Sequence, residues 1–285
     1  MWILYSLLSA VFSAFCAILE KKALFNLEPL DFSCALYFCL AVVFSLVFFF
    51  SGGGLGNIDG HTFLFIWLKS LTNAVSFLFI MYGIKRMELS AGLPMLLLAP
   101  AFVAVFAYLL FGDSMTLRQV AGIGLITAGG YCLKRNGKAG DSAGGYAYLY
   151  FFAALLVLTG SSLLNRYILV SRNVSPLNFA FVEHLLAVPD FVVIAFFFRR
   201  SPAVALKAVR AFPLLLAGVA VATACYRFFE VAAMAQANPA LVTALKRLSV
   251  VLSVLIGGKL FQEQNIGRRV AASLVMFLGA ALIAI

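Results

Sequence analysis

Long apolar segments follow one another along almost the whole chain, and this feature limits the fold more than any other. Residues 41–50 and 95–111, for example, contain no charged side chain. A helix needs roughly 20 apolar residues to cross a hydrocarbon core about 30 Å thick. Only 11% of the residues are charged, against roughly 25% in soluble domains. Because the apolar runs are continuous rather than short and alternating, we predict an all-α polytopic membrane protein.

Ten membrane spans can be drawn between the loop signals of the sequence. The most polar connection, 134–145, lies near the middle of the chain and is rich in Gly and Lys. We therefore predict a first five-helix unit at 1–135, a linker at 136–145 and a second five-helix unit at 146–285. The N-terminal segment has no basic region and no cleavage motif, so we interpret it as the first helix rather than a removed signal peptide. The predicted spans are 2–20, 30–50, 62–83, 89–111, 117–133, 146–169, 177–198, 212–234, 239–260 and 266–285.

The two halves resemble each other, which indicates an internal repeat. Span 2 opens with Pro-Leu-Asp-Phe at 29–32 and span 7 with Pro-Leu-Asn-Phe at 176–179, and both spans end in three phenylalanines. Since each unit has an odd number of spans, two consecutive units must enter the membrane from opposite sides. We therefore predict ten transmembrane helices arranged as two inverted five-helix repeats, a device typical of transporters. Further matches, spaced 150 residues apart, are Phe111/Phe261, Asp113/Glu263, Arg118/Arg268 and Gly129/Gly279.

The distribution of Lys and Arg predicts the orientation. We call the connections after spans 1, 3, 5, 7 and 9 the odd connections, and those after spans 2, 4, 6 and 8 the even connections. Most of the 21 Lys and Arg residues lie in odd connections, whereas the even connections contain only Arg118 and Arg172. Cytoplasmic loops carry an excess of these residues, so we predict that the odd connections are cytoplasmic and both termini outside. This accounts for the net charge of +10 without nucleic-acid binding, and the short loops favour a prokaryotic inner membrane.

Charged residues inside a span need an internal partner or water, because each costs at least a few kcal/mol in lipid. Helical spacing places them on faces shared with Ser, Thr, Asn and Tyr, which predicts a polar interior. Cations outnumber acids within the spans, so we expect a positive cavity that binds a carboxylate or phosphate. A neutral solute stays open if the acids pair most of the cations. The predicted solute-binding residues are Lys246, Arg247, Arg227, Glu230, Tyr226, Lys69, Asn73, Glu183, His184 and Arg166.

Several of the charged residues also have a structural interpretation. Arg227 and Glu230, three residues apart, would form an ion pair on one helix. His184 would be a hydrogen-bonded histidine of the core. We interpret Lys21 and Lys22 as cations at the end of the first helix.

Lys246 and Arg247 give the strongest indication of a cavity. Two adjacent cations about a third of the way into a span cannot both be neutralised easily, so we expect them to line the cavity. The titratable groups Glu183, His184 and Glu230 would couple transport to protons if they change their charge during the cycle.

Three classes of function are open, and we expect a secondary transporter or exchanger of a small polar, anionic metabolite. A flippase or scramblase of lipid-linked molecules would instead have a polar groove open to lipid. An intramembrane enzyme is the third class, but the sequence has no H-E-x-x-H or G-x-S-x-G motif and no phosphate-binding loop. We predict no enzymatic activity, no cofactor and no metal site. The expected partners are the solute and membrane lipids, and a homodimer is left open.

The ends of both halves resemble the EamA-like, ten-helix members of the drug/metabolite transporter superfamily. In that family a half ends with a proline-bearing apolar helix, an acidic residue, a Gln and a Gly-rich helix. The second half has Val250 where the first has its proline. The resemblance covers nearly the whole chain and implies alternating access around a central cavity for amino acids, sugars, nucleotide sugars or drugs. The residues that carry it are Pro100, Asp113, Gln119, Gly122, Gly129 and Gly130 in the first half, and Glu263, Gly267 and Gly279 in the second.

The segment Leu245-Lys246-Arg247-Leu248-Ser249 is similar to the Lys-Arg segment of the triose-phosphate and nucleotide-sugar translocators. In the phosphate translocators this pair binds phosphate, so the resemblance implies an anion-binding role for Lys246 and Arg247. The other phosphate ligands of that branch have no match in this chain.

The inverted repeat predicts the side of each connection. Reporter domains fused at Gly53, in an even connection, and at Ser201, in an odd connection, should lie on opposite sides of the membrane, with Ser201 in the cytoplasm. Alkaline phosphatase and fluorescent protein fusions measure this directly. Finding both reporters on one side would contradict the inverted arrangement.

Overall fold

The computed structural model describes residues 1–52, 58–99, 101–102, 105–106, 116–134, 146–172, 174–201, 203–234, 236 and 239–284. Regular structure in these residues is entirely helical. We number the α-helices in chain order, and two of them are continued by short turns of other helix types. The helices are α1 (Trp2–Leu24), α2 (Pro29–Phe50), α3 (Gly60–Arg86), α4 (Leu89–Gly92) followed by a 3-10 helix (Leu93–Leu98), α5 (Leu117–Lys134), α6 (Tyr146–Arg166) followed by a π-helical turn (Tyr167–Ser171), α7 (Pro176–Phe197), α8 (Ala203–Ala211), α9 (Pro213–Met234), α10 (Pro239–Lys246), α11 (Leu248–Leu260) and α12 (Ile266–Ala284).

Seven helices of the described chain are long and apolar enough to cross a membrane: α1, α2, α3, α6, α7, α9 and α12. They correspond to predicted spans 1, 2, 3, 6, 7, 8 and 10, so the multi-pass all-α architecture is confirmed. Span 5 is present as α5, which does not reach the hydropathy of the other seven. Much of span 4 and the predicted linker 136–145 lie outside the described residues.

The long helices begin where the sequence supplies local start signals. Pro29 and Pro176 occupy the first turn of α2 and α7, where a missing N–H costs no helical hydrogen bond. The carboxylate of Asp59 accepts the Thr62 N–H at the start of α3. The Ser175 hydroxyl likewise accepts the Asn178 N–H at the start of α7. These caps satisfy N–H groups that no helical carbonyl reaches.

The ninth predicted span is not one helix, and this part of the prediction is wrong. Residues 239–260 form two helices, α10 and α11, with a turn at Arg247 between them. Around the turn, Arg247 N–H donates to the Ala244 carbonyl at 3.1 Å and Val250 N–H to the Arg247 carbonyl at 3.1 Å. These tighter bonds replace the i to i−4 bonds of a regular helix. Because neither Gly nor Pro marks Arg247, the apolar pattern gave no sign of the break.

The fourth span of the first half is irregular as well. The α4 helix ends after one turn, and the chain continues as a 3-10 helix that contains Pro94. Leu97, which lies in this 3-10 helix, is 150 residues before Arg247. The interruptions of predicted spans 4 and 9 thus lie at the spacing of 150 residues that the sequence matches also show.

The main helix contacts join the first half of the chain to the second. They are α1 with α9, α2 with α7, α3 with α6, and α5 with α12. Glycines allow the closest of these approaches. A Cβ atom on Gly122 of α5 would lie 2.6 Å from the Gly279 carbonyl of α12, and one on Gly279 would lie 2.6 Å from the Gly122 carbonyl. Small residues let membrane helices approach to backbone contact, where packing stabilises the pair.

The contact between α5 and α12 predicts different effects of alanine at two glycines of α5. Gly122→Ala should lower the free energy of unfolding by about 1–3 kcal/mol, because its methyl group overpacks the contact. Gly124→Ala is the matched control, since nothing lies within 4 Å of its Cβ position. It should leave stability unchanged or raise it slightly through helix propensity. Thermal unfolding in detergent measures both, and equal melting temperatures would refute the contact.

Candidate solute-binding site

One carboxylate lies among three cations where α9 and α10 meet. The Lys246 Nζ atom is 2.7 Å from Glu230 Oε2, and the Arg227 Nη1 atom is 3.6 Å from the same oxygen. Arg247 also interacts electrostatically with Glu230. The ion pair of Arg227 and Glu230 proposed from their spacing is therefore present. It is part of a larger group, because Glu230 also binds Lys246.

An aromatic ring lies against two of these cations. The Lys246 ammonium is 4.6 Å from the centre of the Tyr226 ring, and the Arg227 guanidinium carbon is 5.3 Å from it. Cations are attracted to the negative face of an aromatic ring. The Ser9 hydroxyl donates to the Tyr226 carbonyl at 2.9 Å and so ties α1 to this segment of α9. Lys246 is therefore held by both Glu230 and Tyr226.

Arg227 lies among groups from several helices and keeps part of its side chain accessible. It interacts electrostatically with Glu183 of α7 and Tyr37 of α2 in addition to Glu230. Although these groups surround it, 42% of its side-chain surface is accessible. The Nε atoms of Arg227 and Arg247 are buried and have no hydrogen-bond partner in the described part of the chain. Two guanidinium groups thus retain donors for a ligand.

A second ion pair lies on α3 and α7. Lys69 Nζ is 2.7 Å from Glu183 Oε1, and only 5% and 8% of the two side chains are exposed. The Ser70 hydroxyl lies within 3.2 Å of the Glu183 carbonyl and within 2.6 Å of Asp190 Oδ2. Trp67 Nε1 donates to the other Asp190 oxygen at 3.0 Å. These bonds satisfy the charges within the protein, so the group also has the features of a structural pair.

The remaining predicted residues of α3 and α7 contact an aromatic cluster. The Asn73 amide donates to the Tyr37 hydroxyl at 3.1 Å. The His184 ring stacks on Phe44 with centroids 4.1 Å apart and lies 6.0 Å from Tyr37. Its Nδ1 is 2.8 Å from the Ala180 carbonyl oxygen, and since a carbonyl only accepts, Nδ1 carries the proton. His184 thus has the environment of a packed core histidine.

Four charged residues of these two groups lie at a common distance from the helix ends. Lys69 is nine residues after the start of α3, and Glu183 is seven after the start of α7. Arg227 is seven residues before the end of α9, and Lys246 is seven after the start of α10. At 1.5 Å per residue this corresponds to about 10–14 Å. All four helix ends adjoin even connections, so the charges form one layer.

Sequence reasoning missed two partners of this layer. Tyr37 is a hydrogen-bond partner of Asn73 and lies on α2, whose one charged residue, Asp31, is in the first turn and does not indicate Tyr37. On α1, the Cys16 thiol lies 3.2 Å from the Thr223 hydroxyl and 3.5 Å from Glu20. The polar face of α1 was visible in the sequence, but its pairing with α9 was not. The side chain of Arg166, predicted to line the cavity, lies outside the described residues.

Comparisons with known proteins agree with the helical architecture. Residues 1–134 match the model of the EamA-like transporter family. One similar crystal structure superposes with a TM-score of 0.62, covers 97% of this chain and 97% of its own, and has 16% sequence identity. At this identity the likeness concerns the fold alone. The search of curated proteins gave no match.

The buried pair of α3 and α7 predicts a strong dependence of stability on its partners. Lys69→Met should destabilise the protein by about 3–5 kcal/mol, because it leaves Glu183 buried without its cation. The double change Lys69→Met with Glu183→Leu should recover most of this loss, since no buried charge remains. Melting temperatures of the three proteins in detergent measure the effect. A single variant as stable as the wild type would show that the pair is not structural.

Proposed function

We propose that this chain, whose residues 1–134 match the EamA-like transporter family, is a secondary transporter that carries a small anionic metabolite by alternating access. Members of this family of the drug/metabolite transporter superfamily are multi-pass membrane transporters of small molecules. The charged layer supports the solute class, and the relation between the two halves supports the mechanism.

The charge balance around Glu230 carries the proposal of an anionic solute. Three cations, Arg227, Lys246 and Arg247, share this one carboxylate. The group therefore has an excess of positive charge that a carboxylate or phosphate of the solute would neutralise. Because Lys246 is already bound by Glu230, we assign direct contact with the solute mainly to Arg227 and Arg247. This revises the prediction that placed Lys246 first among the ligands.

The break in the ninth span supports the same location. The α11 helix begins at Leu248 without a side-chain cap, directly after Arg247. The N-terminus of a helix has a partial positive charge, which favours an anion. The C-terminus of α10, with its partial negative charge, ends at Lys246. Interrupted helices with such termini form solute sites in many transporters with inverted repeats.

The pattern of helix contacts supports two equivalent halves. In terms of predicted spans, the main contacts join 1 with 8, 3 with 6, 2 with 7, and 5 with 10. In the predicted repeat, spans 1 to 5 correspond to spans 6 to 10. If each span is replaced by its counterpart, the pair 1–8 becomes the pair 6–3, which is also observed. The pairs 2–7 and 5–10 remain the same pairs. The set of contacts is therefore unchanged, as expected for two copies related by a twofold axis. We propose that 1–135 and 146–285 are these copies.

The ion pairs near the helix ends support opposite insertion of the two units. Three ion pairs join residues in or beside the odd connections, and one ion pair joins residues of the even connections. No ion pair near the helix ends of the described chain joins an odd connection to an even one. The spans alternate in direction, so connections of one parity must share a face. The pairs are Lys85 with Glu28 at 2.9 Å, Arg200 with Asp31 at 3.9 Å and Arg269 with Glu88 for the odd connections, and Arg172 with Asp59 at 4.0 Å for the even ones.

The two guanidinium groups provide the test of this function. Arg227→Gln and Arg247→Gln should each weaken binding of an anionic metabolite by roughly 10–100-fold, since each removes a charged hydrogen-bond donor. A thermal-shift screen with anionic, neutral and cationic metabolites first identifies a stabilising solute. Uptake of that solute into proteoliposomes then compares the variants with wild type.

Lys259→Gln is the control, because this exposed cation lies on α11 far from the break. It should transport normally. Stabilisation by neutral or cationic metabolites alone would refute the anionic specificity. Transbilayer movement of labelled lipid without solute uptake would instead favour a flippase.

A further inference from the structure

A network of charged groups joins the two halves at the ends of the helices, far from the layer around Glu230. The carboxylate of Glu263 accepts the N–H groups of Leu89 and Ser90 at 2.7 and 2.9 Å. Arg269 donates to the Ser90 hydroxyl at 2.5 Å and pairs with Glu88 and, at 3.6 Å, with Glu263. These bonds connect the start of α4 to the connection between α11 and α12.

Lys21 adds a third helix to this network. Its ammonium donates to the carbonyls of Ile84 and Met87 at 2.6 and 2.8 Å, and it interacts electrostatically with Glu263 and Glu88. Lys21 is buried, so its interpretation as a simple cation at the end of a helix is wrong. Its network thus spans the odd connections after spans 1, 3 and 9.

Two charged side chains of this network are almost completely buried, since only 7% of the Arg269 side chain and 4% of the Glu263 side chain are exposed. Other ion pairs at the helix ends are exposed: Lys85 with Glu28 has 30% and 53% exposure, and Arg172 with Asp59 has 33% and 58%. Buried, hydrogen-bonded charges are shielded from water, whereas exposed pairs are hydrated and weak. The contacts of Arg269 and Glu263 therefore close this part of the odd end.

Apolar packing fills the interior next to this network. The largest buried cluster includes Leu24, Met81, Leu89 and Val254, all of which lie toward the odd ends of their helices. A Cβ atom on Gly257 of α11 would lie only 2.7 Å from Leu89 Cδ2. The halves therefore touch directly below the network. The accessible side of Arg227 lies in the other half of the helices, close to the even ends.

We propose that Lys21, Glu88, Ser90, Glu263 and Arg269 form the gate that closes the solute chamber toward the odd connections, an inference that rests on the proposed transport function. In alternating access each end must open in turn, so these bonds must break when the odd end opens. Water then replaces the lost hydrogen bonds of each charged group. A gate of charged groups can therefore open at a lower cost in free energy than an apolar contact of the same size.

Glu263 connects the gate to the fourth span through its bonds to the start of α4. It caps the N-terminus of α4, where a carboxylate is favoured by the helix dipole, and α4 leads into the irregular fourth span. Arg269 lies in the first turn of α12 and binds the same carboxylate. Movement of α12 away from α4 would break both contacts together. The gate thus couples the end of the second half to the interrupted helix of the first.

Two adjacent lysines give a matched test of this gate. Lys21→Gln removes both bonds of the buried ammonium, whereas Lys22→Gln changes an exposed side chain one residue away. The reporter is Cys16, a buried thiol on α1 between the gate and the charged layer, with the other four cysteines replaced by serine. A membrane-impermeant, sulfonated methanethiosulfonate reagent is applied to the odd side of sealed vesicles. A separate Lys22→Cys protein, labelled only from that side, identifies it.

Labelling of Cys16 should rise by about tenfold or more in Lys21→Gln, because losing hydrogen bonds of a charged group shifts a closed–open equilibrium by at least this factor. Lys22→Gln should label at the wild-type rate, and Lys21→Arg should restore most of the protection. Ser90→Ala, which removes the Arg269 bond and is compatible with a helix, should also increase labelling. If Lys21→Gln does not fold, Ser90→Ala decides the question.

Unchanged labelling in Lys21→Gln and Ser90→Ala would overturn the gate, and so would an equal increase in Lys22→Gln. The labelling needs no solute, so its outcome is independent of the uptake experiment. Faster labelling with no transport of any anion would support the gate and refute the proposed solute. Normal anion transport with unchanged labelling would support the proposed solute and refute the gate.

Discussion

The cost of an ionised side chain in hydrocarbon determines how these helices are arranged. Lys69, Glu183 and Glu230 lie within segments that are otherwise apolar, and each has a partner on another helix. An unpaired charge at this depth would cost several kcal/mol, so helices that carry opposite charges must face each other. Pairing of α3 with α7 and of α9 with α10 satisfies this requirement. The same requirement leaves a polar layer inside the bundle, where we propose that the solute binds.

The charged layer contains one group that is saturated and one that is not. Lys69 and Glu183 neutralise each other and are almost completely buried, which is the arrangement of a structural pair. The group around Glu230 has more cations than one carboxylate can neutralise, and part of Arg227 is accessible. Both groups lie at the same depth and interact electrostatically through Arg227. Rigid support and an available positive charge are therefore adjacent, as preorganised binding of an anion requires.

The charged layer and the network around Glu263 and Arg269 lie at different depths of the helices. The network is buried at the odd ends, and the layer lies closer to the even ends. The set of main helix contacts is unchanged when each predicted span is exchanged with the span five places away. This is why we propose two inverted units that alternate between two states. The glycines of α5 and α12 bring these two helices to backbone contact.

The sequence alone determined that this protein lies in a membrane, because long continuous apolar runs form membrane-spanning helices. It also identified Lys69, Glu183, Arg227, Glu230 and Lys246 as unusual, since the cost of an intramembrane charge depends only on its position within a span. Pairing was decided by the tertiary structure. Which carboxylate binds which cation depends on distances between helices that are more than 100 residues apart in the chain, as for Lys69 and Glu183.

The same distinction explains the two features that the sequence did not reveal. The break at Arg247 has no Gly or Pro to mark it, so only the packing of α10 and α11 against other helices shows it. Lys21 and Lys22 are adjacent and chemically identical, yet one is buried in a network and the other is exposed. Local sequence cannot distinguish them, because the carbonyls and carboxylates that draw in Lys21 belong to distant segments. A residue's own chemistry sets what it requires, and only the fold decides whether its neighbours supply it.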